Sequence, residues 1–306
     1  MKKSSSQITA GTAVPRDIYQ QVTDRIIAML QDGICPWKRD WSASPFTPRN
    51  WNGRPYRGIN WLLLGSLDYP TPVFLTYKQA RALGGTVRKG ESGHMVTFWK
   101  FFEVRDDGTA EDRRIPMLRH YTVFNVAQCD GLPELPAPAE RDFCPVAAAE
   151  AVVQDMPQRP DIREEDARGR CYYRPSTDTV HMAPRRSFLS NEGWYSTLFH
   201  ELAHATGHKS RLDRAGIAET AGFGSDTYSR EELVAELAAA NVCADIGISE
   251  PVIENQTAYI QSWLKALQDD PKALIWAAGK AARAADWILN RMQPTADEVQ
   301  PQIDSL

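Results

Sequence analysis

The chain has 306 residues, of which 42% are hydrophobic, and a net charge of −4; that length can bury a substantial core and makes two domains the default. Its five cysteines, Cys35, Cys129, Cys144, Cys171 and Cys243, are odd in number, scattered and never spaced CxxC, which excludes a disulfide framework and a cysteine zinc ribbon and fits a reducing cytoplasm. No apolar stretch follows Met1 and no run of about 18 apolar residues occurs, so neither secretion nor membrane insertion is expected.

Residues 1–14 are polar and expected to be disordered. From Arg16 to Leu30, Ile18, Val22, Ile26, Ile27 and Leu30 recur at helical spacing, and Gly33 follows as a stop. The stretch from Trp37 to Arg57 is rich in Pro, Gly and Asn and reads as an irregular loop. Short helices are expected over 60–67 and 76–84, and strands over 95–104 and 119–126 with a polar connection between them, which makes residues 15–130 an α+β domain. Residues 131–145 hold four prolines and are expected to be a stiff linker. The second domain, 146–292, is expected to be mainly helical around a short hairpin over 171–182, ending in a flexible tail over 293–306. Its helices are expected over 147–154, 195–207, 229–246, 255–268 and 272–292, the third opened by Ser229 and Glu232 in capping-box spacing.

Charge divides along the same line. Residues 1–130 hold 18 Lys plus Arg against 12 Asp plus Glu, whereas residues 131–306 hold 17 against 27. A basic front suits a polyanionic partner.

His200-Glu201-Leu202-Ala203-His204 is the sharpest motif: residues four apart share a helix face, so both imidazoles can reach one ion while Glu201 stands beside them as a candidate general base. A catalytic zinc usually takes three protein ligands. Ser210 occupies the position where one helix-extended pattern has its third histidine, and His208 lies too far along a straight helix. The remaining source is a following helix, where Glu232 and Glu236 share a face. Glu232 is the expected ligand, and Glu236 either orients a ligand histidine or takes the ligand position itself. Asp213 and Asp226 are weaker candidates, and Glu232 could instead only close the capping box with Ser229. Zn2+ is the expected metal, with Mn2+ or Co2+ as alternatives. Such an ion would acidify a water and polarise a carbonyl, which makes amide hydrolysis the reaction class. Thr179 to Met182 would be the edge strand for a substrate peptide and Tyr228 a possible oxyanion donor.

The irregular loop interleaves Trp37, Trp41, Phe46, Trp51 and Tyr56 with Lys38, Arg39, Arg49, Arg54 and Arg57, a pattern that suits single-stranded nucleic acid through stacked bases and neutralised phosphates. Arg81, Arg88, Lys89 and Lys100 would extend that surface. A small core beneath an irregular loop explains the same tryptophans equally well.

Longer stretches carry a family likeness. RDIYQQVTDRIIAML, GICPWKRDW, NWNGRPYRGINWLLLG, TYKQARALGGTVRKGESG and YTVFNVAQCDGLP resemble the N-terminal domain of ArdC-type antirestriction proteins, which TraC-type plasmid primases share. STLFHELAHATGHKSRLDR and YSREELVAELAAANVCADIGI resemble the zincin-like C-terminal domain of that family. The resemblance implies a protein of a conjugative plasmid or similar mobile element that binds single-stranded DNA and protects incoming DNA from host restriction. It implies metal ligation by His200 and His204, a general base at Glu201 and a glutamate ligand at Glu232, with a restriction enzyme or another protein as substrate. His181, where an aliphatic residue is expected in the edge strand, departs from the pattern. The alternative is a DNA- and protein-binding module whose metal is structural; retention of Glu201 favours hydrolysis.

Overall fold

The computed structural model describes residues 17–32, 36–37, 47–67, 69–104, 113–135, 145–165, 170–214, 226–248, 264 and 267–292. Expectations for 1–14, 136–144 and 293–306, and most of 255–268, lie outside them.

Asp17 caps α1 (Ile18–Gln31) by accepting from the Tyr19 amide, and the helix buries Val22, Ile26 and Leu30 on one face. After β1 (Arg49–Asn50) comes α2 (Ile59–Gly65), whose Ile59, Trp61, Leu62, Leu63 and Leu64 are all buried. A helix apolar all round must be enclosed on every side. Gly58, at φ +55, turns the chain into α2 and brings the backbone against Ala278 of the C-terminal region, where a Cβ would meet the Ala278 carbonyl at 3.7 Å. Then follow β2 (Val73–Leu75), α3 (Tyr77–Ala82) with a Thr76–Gln79 capping box, β3 (Thr86–Val87), β4 (His94–Val104), β5 (Arg113–Asn125) and β6 (Cys129–Asp130). The main sheet has the order β1-β2-β5-β4, and β3 pairs with β6. β4 and β5 pair antiparallel from His94↔Val123 to Val104↔Arg113. β5 thus starts at Arg113, six residues before the expected 119, because the basic RR pair is carried into the ladder by its register with β4.

In the C-terminal region α4 (Pro145–Asp155) leads into β7 (Asp161–Glu164), β8 (Tyr172–Arg174) and β9 (Thr179–Met182). The sheet order is β7-β9-β8, so Thr179–Met182 is the central strand, not the expected edge. Its register with β7 and β8 occupies both sides, and no ladder position is left for a substrate peptide. Then come α5 (Asn191–Thr206), α6 (Asp226–Asp245) and, further along the described residues, α7 (Ala273–Ile288). Since α6 starts at Asp226, Ser229 is already inside it, and the expected capping box with Glu232 does not open the helix.

One core runs through both regions: Val22, Ile26, Trp37 and Trp61 belong to the same buried cluster as Leu198, Leu202, Leu237 and Ala281. Thr23 Oγ1 donates to the Pro271 carbonyl at 2.7 Å, and Arg57 is ion-paired with Asp286. The α+β front is therefore packed on the helices that carry the histidine motif.

Candidate metal centre

Ser190 caps α5 by accepting from the Gly193 amide at 3.0 Å, and Trp194 Nε1 donates to the Ala183 carbonyl at 3.0 Å, which ties the start of the helix to the end of β9. Trp194, Tyr195, Leu198, Phe199 and Leu202 anchor it in the core. Opposite stands α6, whose buried Ala235, Ala238 and Ala239 let two helix backbones approach closely. That approach lets the histidines of α5 meet the glutamates of α6.

His200 Nε2 and His204 Nε2 stand 3.1 Å apart, Glu232 Oε2 lies 3.4 Å from the first and Glu232 Oε1 3.4 Å from the second. Ligand atoms about 2.1 Å from one ion at tetrahedral angles are about 3.4 Å apart, so the donor set fits a single zinc-sized cation. These three are the one such group among the described residues, with donor atoms all within 4.8 Å. Glu236 Oε1 faces the other ring nitrogen of His200 at 3.9 Å. Glu201 is buried beside the cluster at 7% exposure. It also adds to the rise in the Cys171 thiol pKa, which burial mainly causes.

Sequence reasoning missed the role of Glu231, and Arg214 altogether. Glu231 Oε1 lies 3.7 Å from His204 Nδ1 and accepts from Arg214 Nη2 at 2.5 Å. Arg214 is buried and also donates to Thr206 Oγ1 at 2.6 Å and the Ala203 carbonyl at 2.7 Å. Each imidazole thus has a carboxylate behind it, and the one behind His204 is fixed by an arginine.

The electrostatics point the same way. Burial alone would lower the His204 pKa, but the carboxylates of Glu231 and Glu232 push it up to about 10. His200 is likewise raised, burial and the neighbouring imidazole being outweighed by Glu232 and Glu236. Burial resists ionisation of Glu232, yet the two imidazoles hold it far below the usual carboxylate range. Four glutamates around two rings make a negative pocket that protons or a cation must neutralise. Cation binding is therefore expected to expel at least one proton near pH 7, and apparent affinity to rise with pH by up to about tenfold per unit per proton. Calorimetric titration in buffers of different ionisation enthalpy reads that number; a value of zero would contradict the arrangement.

The other expected residues are dispersed. Trp37 is fully buried, so it is a core residue and not a stacking platform for bases. The aromatic count could not separate these alternatives, and packing does. Lys38, Arg39 and Trp41 lie outside the described residues. Arg49, Arg54 and Lys89 are exposed and Trp51 is half-buried. Arg57 is engaged by Asp286, and Arg88 by Glu91, Asp130 and the Ala127 carbonyl. Tyr56 is half-buried and packs edge-on against Phe74 with ring centroids 6.4 Å apart. Tyr228 lies in the first turn of α6, its side chain outside the description. His181 is buried, stacks on Tyr172 with centroids 4.7 Å apart and places Nδ1 3.3 Å from Glu165. His208 Nδ1 contacts Ser210 Oγ at 2.8 Å, in the turn after α5.

Comparison with known proteins gives a consistent assignment. Residues 16–124 match the N-terminal domain of anti-restriction factor ArdC, and residues 147–280 match a zincin-like metallopeptidase family. The chain is 39% identical to the uncharacterized protein y4eC of Sinorhizobium fredii, over 90% of this chain and 92% of that one. It is 35% identical to the DNA primase TraC of Escherichia coli over 94% of its own length but only 28% of the primase. Crystal structures of the antirestriction ArdC protein from the R388 plasmid superpose with TM-scores of 0.73 for the metal-free and 0.71 for the Mn(II)-bound form. The metal-free form is 40% identical and is covered completely by 91% of this chain. A front domain of the ArdC type joined to a zincin-like domain carrying HExxH and a glutamate on the next helix makes this chain a member of the ArdC antirestriction family.

Proposed function

We propose that this protein protects DNA entering a bacterium on a plasmid or similar mobile element, that its N-terminal region engages single-stranded DNA, and that its C-terminal region is a metal-dependent peptidase acting in the cytoplasm on a restriction enzyme or another protein. The observation that carries the peptidase reading is the convergence of His200, His204 and Glu232 beside a buried Glu201. His200, His204 and Glu232 would hold the ion, with Zn2+ as the first choice and Mn2+ or Co2+ able to replace it; an R388 relative has a Mn(II)-bound form. When bound, the ion supplies Lewis acidity and a water of lowered pKa. Glu201 holds a carboxylate beside the ligand pair, within a core that excludes bulk water, where it can accept and then return a proton. Glu236 and Glu231 orient the two ligand rings through their second nitrogens. An extended peptide would pair with the outer side of β8 or β7, since β9 is covered on both sides. Tyr228 remains the candidate oxyanion donor. No described helix is long and apolar enough to cross a membrane.

Support for the DNA reading comes from the ArdC-type front domain, the relatedness to TraC primase and the exposed Arg49, Arg54 and Lys89.

Glu201→Ala tests the peptidase reading. It should keep its metal and lose about 10²–10⁴-fold of any proteolytic rate, and protection of incoming DNA with it. Plating efficiency of transferred DNA in a restricting host measures protection, and metal content checks the site. Full protection with a loaded Glu201→Ala protein would make the metal structural and the protein a binding module.

A further inference from the structure

We propose that one face of the β4–β5 hairpin, where Phe98, Lys100, Phe102, Arg119 and Tyr121 line up, is a binding surface for single-stranded nucleic acid. This rests on the DNA-binding reading of the N-terminal region and moves its centre from the tryptophan loop to the hairpin beside it.

Register fixes the face. Residues directly opposite in an antiparallel pair point to the same side, and the side alternates along each strand. Val96↔Tyr121, Phe98↔Arg119, Lys100↔Met117 and Phe102↔Ile115 therefore share one face. At its base that face is closed: Val96 and Val123 are fully buried with Leu64 and Phe74. Beyond Phe98 no described element covers it, and Met117 and Ile115 are 42% and 47% exposed. An aliphatic surface left in water, edged by the half-buried rings of Phe98, Phe102 and Tyr121, usually awaits a partner.

The chemistry selects which partner. Phe98 packs on Tyr121 with centroids 5.7 Å apart, and Phe102 carries Lys100 Nζ at 5.1 Å and the Arg119 guanidinium at 5.8 Å. On that face the described side chains from Val96 to Phe102 and from Ile115 to Tyr121 include two cations, Lys100 and Arg119, and no acid. Rings flanked by cations provide π-faces for unpaired bases and charges for the phosphates between them, whereas an apolar protein partner gains nothing from interleaved cations. From Phe98 to Phe102 the open stripe is about 13 Å long, enough for two or three stacked nucleotides. It also adjoins the basic loop: Tyr121 stands beside Tyr56 and lies within electrostatic reach of Arg54.

The test is fluorescence anisotropy of the full-length protein with a labelled single strand of about 20 nucleotides and the matching duplex, as a function of salt. Phe102→Ala should weaken single-strand binding about tenfold. Lys100→Ser with Arg119→Ser should reduce the log–log salt slope by about 1.4, two single-strand phosphates' worth. All three positions are at least partly exposed, so unchanged thermal melting certifies the fold. Wild-type binding that these variants leave within about twofold, while Arg54→Ser abolishes it, would overturn the hairpin assignment and leave the DNA reading intact. No binding by wild type at any salt would overturn both. A concentration-dependent dimer that Met117→Ser dissolves would identify a second copy as the occupant and also overturn the assignment.

Discussion

His204→Ala is expected to lose tightly bound metal, because it removes one of three donors and leaves Glu231 and Glu232 facing a gap. Structural zinc sites gain about 10–16 kcal/mol from about four ligands, so one ligand's share of about 2.5–4 kcal/mol corresponds to a loss of about 10²–10³-fold in affinity. Glu232→Ala should match it, since Glu232 presents one oxygen to each ring at 3.4 Å. Glu236→Ala should differ: it faces only the far nitrogen of His200, at 3.9 Å, and its loss should cost about 10–100-fold by freeing the ring's orientation. Metal content after dialysis and chelator competition rank the variants. If Glu236→Ala strips the protein and Glu232→Ala does not, the two glutamates exchange roles.

How far the sequence could be read depended on the range of the interaction behind each feature. The histidine pair was legible because i, i+4 spacing on a helix is a local geometric fact, and Glu232 with Glu236 followed by the same rule one helix later. Glu231 was not legible, since its role depends on Arg214, which reaches it through a turn folding back on the end of α5. There Leu212 N donates to the Thr206 carbonyl at 2.9 Å, Arg214 N to the Gly207 carbonyl at 3.0 Å, and Asp213 takes a left-handed φ of 45°. No pattern in HKSRLDR announces that return. The position of β9 was misjudged for a related reason: its parallel partner β7 is the short, mostly polar DIRE, with one inward-facing Ile162, and carries no strand signature. Trp37 shows the limit of composition, because an aromatic among cations looks the same whether it ends in the core or on the surface. β4 and β5 were recognised as strands, yet FWKFF lacks the alternation that would have shown which of its rings remain in water.

Arg214→Ala is expected to be the most destabilising single polar change near the site. Arg214 and Glu231 are only 4% and 11% exposed at their side chains, and the guanidinium also satisfies Thr206 Oγ1 and the Ala203 carbonyl. Removing one partner of a buried pair leaves a charge without compensation, at a cost of about 3–5 kcal/mol. At about 2–4 °C per kcal/mol for a domain of this size, the melting temperature should fall by roughly 6–20 °C. Metal affinity should fall as well, because Glu231 would lose the guanidinium that fixes it beside His204 and would no longer hold the ring it now braces. The double variant Arg214→Met with Glu231→Gln separates the two effects: with both charges gone the buried penalty disappears and stability should largely return. Metal affinity should stay low, since no carboxylate then stands behind His204. Thermal melting of the cation-free protein reads the first quantity and chelator competition the second. Recovery of both together would mean that the pair acts on stability alone and does not hold the ligand ring.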